Sequence, residues 1–366
     1  MVTQLHLDFG FRPNSYARRS VTSESYQRTL PESRVETSFK LKREVNMSDS
    51  KMAVAAKKRG DELCSEALAK LNTFSLFGFG KAEKCREAAE KYKMAGNSYK
   101  MAQAWEAAGD AFMKAYENFK STGDDKTDAM QNLEDAGHSY KKDRLLIDKA
   151  VHTLNMVVES YVTSGRASRA QKCLEAISEI YEAEQQWDDN LSVIEQIVTM
   201  LMNDNKSSQA TKWQLKMAII LSEKMEAYPR AAEMFKSVGD RSMQTDLGKY
   251  AAKGYYFQYL ICLVAMGDCV GIEAGLEACK NSDYSFASSR ECQFIERLNK
   301  AVVDSNNQEY AQACADFDAV TPLDPWKTSL LLKGRSHIPE ADVADIDKEL
   351  DDLVVGDDDD GDDDLK

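Results

Sequence analysis

Long apolar runs are missing from this chain. No stretch of about 18 or more apolar residues occurs, so no membrane-spanning helix is expected. Proline and glycine are scarce, at 6 and 18 in 366 residues, which favours long regular elements over loops. No two of the eight cysteines (Cys64, Cys85, Cys173, Cys262, Cys269, Cys279, Cys292, Cys314) form a C-x-x-C pair, and the four histidines (His6, His138, His152, His337) are scattered. Zinc-ligand spacing is therefore absent, and the thiols read as unpaired and buried in a reducing cytosol.

Catalytic motifs are missing too. GFGK at residues 78–81 invites comparison with a phosphate loop, G-x-x-x-x-G-K-[ST]. Ser75 stands in the place of its first glycine, Ala82 in the place of its Ser/Thr, and no hydrophobic strand precedes it. No G-x-S-x-G elbow occurs, and His138 and His152 fall on helix faces, where a satisfied or solvated ring is the ordinary case. Paired carboxylates carry no signal among 61 acids. Neither enzymatic activity nor a cofactor nor a metal is expected.

The formal charge of −14 sits at one end. Residues 340–366 hold fourteen acids and two bases, which is −12 of it. The block DDDDGDDD at 357–364 cannot pack, so the tail is expected to be solvated, serving either solubility or docking to a basic partner. At the other end, residues 1–46 carry 8 bases and 5 acids without sustained periodicity. They read as a disordered extension with no folded role, ahead of a natural-looking start at Met47. Asp8, Glu24, Glu32, Glu36 and Glu44 argue against a transit peptide.

What the chain has in abundance is helical periodicity, from Asp61 to about Lys333. Ala95-Gly96-Asn97, Ala108-Gly109-Asp110-Ala111-Phe112 and Ala136-Gly137-His138-Ser139-Tyr140 are versions of one phrase. Tyr140, Tyr161 and Tyr181 recur 21 and 20 residues apart, one helix plus one turn per step. Turns are expected at STGDD (121–125), TSG (163–165), VGD (238–240) and MGD (266–268). Gly and Ala allow a neighbouring helix to approach while a Tyr or Phe fills the gap, and a hairpin built this way must stack on the next. The fold class is all-α: a right-handed α-solenoid of tetratricopeptide-like helical hairpins. Such folds usually bind other proteins.

Two stretches stand out as candidate contacts. NTFSLFGFGKAEK, residues 72–84, crowds Phe74, Leu76, Phe77 and Phe79 between two helical segments. No partner strands exist for it, so it reads as a turn. Its apolar side chains either protrude or fold back to cap the first hairpin. Lys141, Lys142, Arg166, Lys172, Lys212, Lys216, Lys249, Lys253 and Arg290 recur near helix ends and faces, with two i,i+4 pairs. Taken singly, each reads as part of a solvated face. Together on a concave surface they would form a positive stripe suited to an acidic, rod-like partner. Nucleic acid is not expected, because no domain is strongly basic.

Several phrases resemble the soluble NSF attachment proteins, closest to the alpha form: FSLFG (74–78), YKMAQAWEAAGDAF (99–112), LEDAGHSYKK (133–142), AISEIYE (176–182), LGKYAAKGYYF (247–257), FASSREC (286–292) and LDPW (323–326). The resemblance covers residues 50–335 and the extreme C-terminus. It implies an adaptor that binds assembled SNARE four-helix bundles, several copies per bundle, and recruits the AAA+ ATPase NSF to take them apart. That would serve vesicle fusion and trafficking such as ER–Golgi transport, in the cytoplasm and peripherally on membranes. It implies a repeat sheet over 47–270, a C-terminal helical bundle over 271–339, and an acidic tail over 340–366. On this resemblance the nine basic residues face the SNAREs, with a less definite role for Lys141 and Lys142. Phe74, Leu76, Phe77 and Phe79 enter the membrane, and Asp304, Asp364 and Leu365 meet the ATPase. Four departures stand out: about 46 added residues at the front, the long acidic tail, Asp304 followed by Ser305 where the family has a carboxylate cluster, and Gln103 where some relatives have lysine. A helical-repeat scaffold for another trafficking complex is the other reading.

Overall fold

The computed structural model describes residues 32–73, 80–123 and 126–339. Among them are α1 (Glu32–Asn72), α2 (Lys81–Met101), α3 (Trp105–Thr122), α4 (Lys126–Tyr140), α5 (Ile147–Thr163), α6 (Ala167–Ala183), α7 (Trp187–Asn203), α8 (Ser207–Glu223), α9 (Tyr228–Ser242) and α10 (Asp246–Met266). The remainder are α11 (Cys269–Ser282), α12 (Tyr284–Ala287), α13 (Arg290–Val303), α14 (Asn307–Asp318) and α15 (Pro325–Arg335), with a 3-10 turn at Arg144–Leu146. No strand occurs among the described residues, and the fold is all-α. None of the described helices is long and apolar enough to cross a membrane.

Helix α1 starts well before Asp61, where the pattern first becomes legible. Residues 32–46, expected to lack structure, are helical. Pro31 precedes the first turn and no Gly or Pro follows until Gly60, so nothing in the covalent chain stops the helix. The expectation for residues 1–31 lies outside the described residues.

Five helix ends share one turn. Gln103, Gly165, Gln185, Asn205 and Ser305 all take a left-handed backbone, with φ of 54, 71, 58, 57 and 49°. The next residue's N–H then reaches back to a carbonyl in the last helical turn, as in Ala104 to Tyr99 at 2.9 Å and Arg166 to Tyr161, Gln186 to Tyr181, Lys206 to Leu201 and Asn306 to Ala301 at 2.8 Å. This Schellman closure satisfies carbonyls that a helix end leaves open. The turns at TSG and MGD fall as expected, with Gly165 and Gly267 left-handed. Gly123 does the same after α3, while residues 124–125 of STGDD lie outside the described residues. VGD does not form a turn: Val238, Gly239 and Asp240 lie inside α9.

The reason is a packing device that uses Gly-Asp differently. The Tyr256 ring lies where a Cβ on Gly239 would come within 2.7 Å of it, and the Tyr256 hydroxyl donates to Asp240 Oδ1 at 3.0 Å. The same device joins Tyr99 to Gly60 and Asp61, and Tyr140 to Gly109 and Asp110. Glycine permits the close approach, and the next residue's carboxylate satisfies a phenol that would otherwise be buried unpaired. The repeated phrase in the sequence is thus a helix-contact module, and a Tyr or Phe fills the gap at Gly60, Gly96, Gly109 and Gly239.

The described residues divide into two compact units, which part between Ala210 and Thr211. In the first, each helix packs on the next, α1 on α2 through α6 on α7. Contacts between alternate helices set α4 beside α6: Arg166 to Thr127 at their starts, Arg169 to Gln131 in the middle, and Lys141 to Glu179 near their ends. The second unit is not sequential. Helix α10 packs on α9, α11, α13 and α15. Its buried residues Tyr256, Phe257, Leu260, Ile261, Cys262, Leu263, Val264 and Ala265 surround the helix, the pattern of a central helix covered on every side. Phe257, Phe294 and Phe317 cluster around it, with centroids 4.4–6.1 Å apart. Because α10 belongs with the C-terminal helices, the units part earlier than the expected boundary between 270 and 271.

Candidate functional site

The expected basic residues occupy three kinds of position. In the first unit, Lys141 and Lys142 lie in the turn that follows α4, and Lys141 is half-buried in an ion pair with Glu179. Arg166 caps the start of α6, exposed, with Nη2 3.4 Å from Thr127 Oγ1. Lys172 is exposed on α6, one heptad before Glu179 and so on the same helix face as the partner of Lys141. Lys141 and Lys172 therefore share one surface of the α4–α6 layer, and Arg166 marks its opposite end.

In the second unit, Lys212 is exposed on α8, and Lys216 lies half-buried with its ammonium 5.2 Å from the Trp213 ring centroid. Lys249 and Lys253 lie one turn apart on α10. Lys249 pairs with Asp246 at 3.1 Å, and Lys253 crosses to Glu291 on α13 at 3.1 Å. Glu291 is the more enclosed partner, and its second oxygen is buried without a hydrogen bond. That bridge holds the first turn of α13 against α10 and brings Arg290 into the same neighbourhood. The Arg290 guanidinium stacks 5.8 Å over the Phe317 ring and donates to Thr321 Oγ1 at 3.3 Å. Planar stacking of this kind fixes a guanidinium without neutralising it.

Two residues of this surface were missed from the sequence. Leu247 and Tyr250 are 86% and 87% exposed on the first turns of α10, and with Ala251 and Gly254 they form an exposed stripe at i, i+3, i+4 and i+7. Their spacing was visible, but an apolar residue in a periodic helix reads as core. The signal lay in their register, which is off that of the buried Ala252, Tyr256 and Leu260. The result is an apolar stripe edged on one side by Lys249 and Lys253, able to bind a surface that presents both apolar and acidic groups.

Asp304 ends α13, exposed, just before the left-handed Ser305. Close to it, a groove of about 410 Å³ runs between α11 and α13, lined by Glu273, Glu277, Glu296, Lys280, Asn299 and Val303 among others. Its carboxylates lie beside the place where Asp304 was expected to stand for an acidic cluster. Phe74, Leu76, Phe77, Phe79, Asp364 and Leu365 lie outside the described residues. The flanks of the apolar stretch are joined, since the Lys84 ammonium donates to the Thr73 carbonyl at 2.8 Å.

No set of three His, Cys, Asp or Glu side chains that could hold a metal ion occurs among the described residues. Six of the eight cysteines are buried. Burial pushes the Cys173, Cys279 and Cys314 thiols up to about 12, so they stay protonated and unreactive.

The family model described as "Soluble NSF attachment protein, SNAP" matches residues 58–339. The chain belongs to the soluble NSF attachment protein family. An alpha-soluble NSF attachment protein of Vitis vinifera is 30% identical over 280 residues, covering 76% of this chain and 94% of its own. A beta-soluble NSF attachment protein of Bos taurus is 32% identical over 261 residues, covering 71% of this chain and 86% of its own. A probable vesicular-fusion protein sec17 homolog of Schizosaccharomyces pombe is 32% identical over 270 residues, covering 74% of this chain and 91% of its own. The matched segment begins within α1 and closes just after α15, so both compact units of this soluble NSF attachment protein family member take part in the match.

Proposed function

We propose that the protein is an adaptor for membrane fusion: it binds the assembled SNARE four-helix bundle and recruits and stimulates NSF, whose ATP hydrolysis drives disassembly. Family membership supports the role, and the names of the relatives tie them to NSF and to vesicular fusion. The observation that carries the binding mode is the start of α10. There Leu247 and Tyr250 stand exposed beside Lys249 and Lys253, with Arg290 stacked nearby on Phe317. An acidic coiled bundle offers groups of both kinds. Lys141, Lys142, Arg166, Lys172, Lys212 and Lys216 extend the basic set along the bundle, and several copies coat it.

The other contacts lie at the chain's far points. Phe74, Leu76, Phe77 and Phe79 attach the adaptor peripherally to the bilayer from the cytoplasm. Each contributes at most about 1.5–3 kcal/mol, so the attachment is weak and reversible. Asp304, Asp364 and Leu365 engage NSF, with the carboxylates of the α11–α13 groove supplementing Asp304. The test is a reconstituted disassembly reaction with NSF, ATP and a soluble SNARE bundle. Addition of this protein should convert slow or absent disassembly into rapid disassembly. Bundle binding without acceleration would reject the NSF half of the proposal, and failure to bind would reject the whole.

A further inference from the structure

The acidic tail carries a second pattern in front of its aspartate block. Val343, Ile346, Leu350 and Leu353 recur at spacings of three, four and three, the a/d spacing of a helix that joins a bundle. Asp342 precedes them and Asp345, Asp347, Glu349, Asp351 and Asp352 lie between them, against the one base Lys348. The sequence of this segment is thus that of an acidic, amphipathic helix. Chemically it resembles the acidic helical partner proposed for the body.

The start of α10 is its complement. Leu247, Tyr250, Ala251 and Gly254 form one exposed stripe, with Lys249 and Lys253 together along one edge of it. A Cβ on Gly254 would meet open space, so the stripe is uncovered along its length. The place where the tail leaves the body allows the two to meet. Ile338 is buried, and His337 Nε2 lies 3.0 Å from the Ala265 carbonyl at the far end of the same helix. Tyr250 lies about 22 Å back along α10 at the usual helical rise. Residues 340–354 reach about 30 Å even when most of them are helical. Tethering at that length gives an effective concentration on the order of millimolar, enough for a weak contact to be well populated.

We infer that residues 342–354 dock in cis on the Leu247–Gly254 face of α10 and occlude it, so that the acidic partner must displace them. The charge of the tail then has a regulatory use: it makes access to the body depend on competition and on salt. This inference rests on the adaptor reading for the identity of the competitor, but not for the docking itself.

The test uses the full chain. In a dilute mixture of isotopically light and heavy protein, carbodiimide should join carboxylates of residues 342–352 to Lys249 or Lys253 within one copy. Links between copies, or equal yields at Lys280 and Lys300 on α11 and α13, would overturn docking in cis on α10. The double variant Ile346→Ser, Leu350→Ser keeps the charge. It should lose those links and bind a soluble SNARE bundle about fivefold more tightly, as expected when a surface occluded about 80% of the time is released. A fluorescent peptide of residues 340–356 should bind that variant and fail to bind once Lys249→Glu and Lys253→Glu are added. If the peptide docks and no version binds the bundle, the adaptor reading fails and the docking stands. If all versions bind the bundle equally and the links are absent, the docking fails and the adaptor reading stands.

Discussion

Tyr256 on α10 donates its phenolic hydrogen to Asp240 on α9 at 3.0 Å, and the other oxygen of that carboxylate pairs with Lys236 at 2.7 Å. The ring meanwhile covers Gly239, where a Cβ would approach it to 2.7 Å. One carboxylate and one missing side chain thus lock two helices together, and Gly60 with Asp61 and Gly109 with Asp110 do the same elsewhere.

Replacing Gly239 with Ala should therefore destabilise the protein although Ala is the better helix former. The expected loss is about 1–3 kcal/mol from overpacking, against a propensity gain of about 1 kcal/mol. Tyr256→Phe should cost about 1–2 kcal/mol by leaving the Asp240 oxygen short of a donor. Urea unfolding measures both. A Gly239→Ala protein as stable as the parent would show that the close approach is not needed.

Alkaline pH should unfold the protein through these tyrosines. Burial, then the hydrogen bond to Glu134, pushes the Tyr161 phenol up to about 12, from its ordinary value of 10.0. The folded state holds this proton more tightly than the unfolded chain. Its stabilising effect is therefore complete below pH 10.0 and is lost as pH rises toward about 12. Tyr99, Tyr140 and Tyr256 are raised for the same two reasons and add to the trend. Midpoints measured between pH 8 and pH 11 should fall with pH, and fall less steeply in Tyr161→Phe. Equal slopes would rule out this source.

Lys249 and Lys253 should separate binding from stability. Lys249→Ala removes an exposed pair with an exposed partner and should leave the unfolding midpoint unchanged. Lys253→Ala strips the partner from the enclosed Glu291 and should cost about 1 kcal/mol, modest because Lys253 is itself part-exposed. Both should weaken binding to a soluble SNARE bundle, and the charge reversal Lys172→Glu with Arg290→Glu should do so with a flatter salt dependence. Binding unchanged in all three proteins would refute the basic surface.

Deleting Leu365 and Lys366 should abolish stimulation of SNARE disassembly and leave SNARE binding intact. Disassembly at the parental rate would remove the C-terminus from the contact with NSF.

Phe74→Ser with Phe77→Ser should slow disassembly of membrane-anchored SNAREs and spare soluble ones. Equal slowing of both would assign those side chains a folding role instead.

The helical class and the repeat were legible because both are written in local spacing: Gly beside small residues, and tyrosines one helix and one turn apart. Gly-Asp was ambiguous, since the same dipeptide closes a helix at Gly267 and packs two helices at Gly239. Only the presence of an aromatic ring from the next helix separates the two uses. The turns at Gln103, Gln185 and Asn205 carried no glycine to announce them, and the backbone takes φ of 54–58° there because the hairpin closure demands it. The basic residues were visible as types. Their partners were not, because Lys141 finds Glu179 and Lys253 finds Glu291 across 38 residues each.

The sequence by itself determined that the chain is helical, that its charge lies in the tail, and that small residues space its helices. These properties follow from periodicity, composition and the scarcity of Pro and Gly, all of which act over a few residues. Tertiary structure alone decided that α10 is the centre of the second unit, that its first turns leave Leu247 and Tyr250 uncovered, and that Lys253 is tied to Glu291. Burial is a property of what packs against a helix, and no spacing within the helix specifies where its neighbours stop.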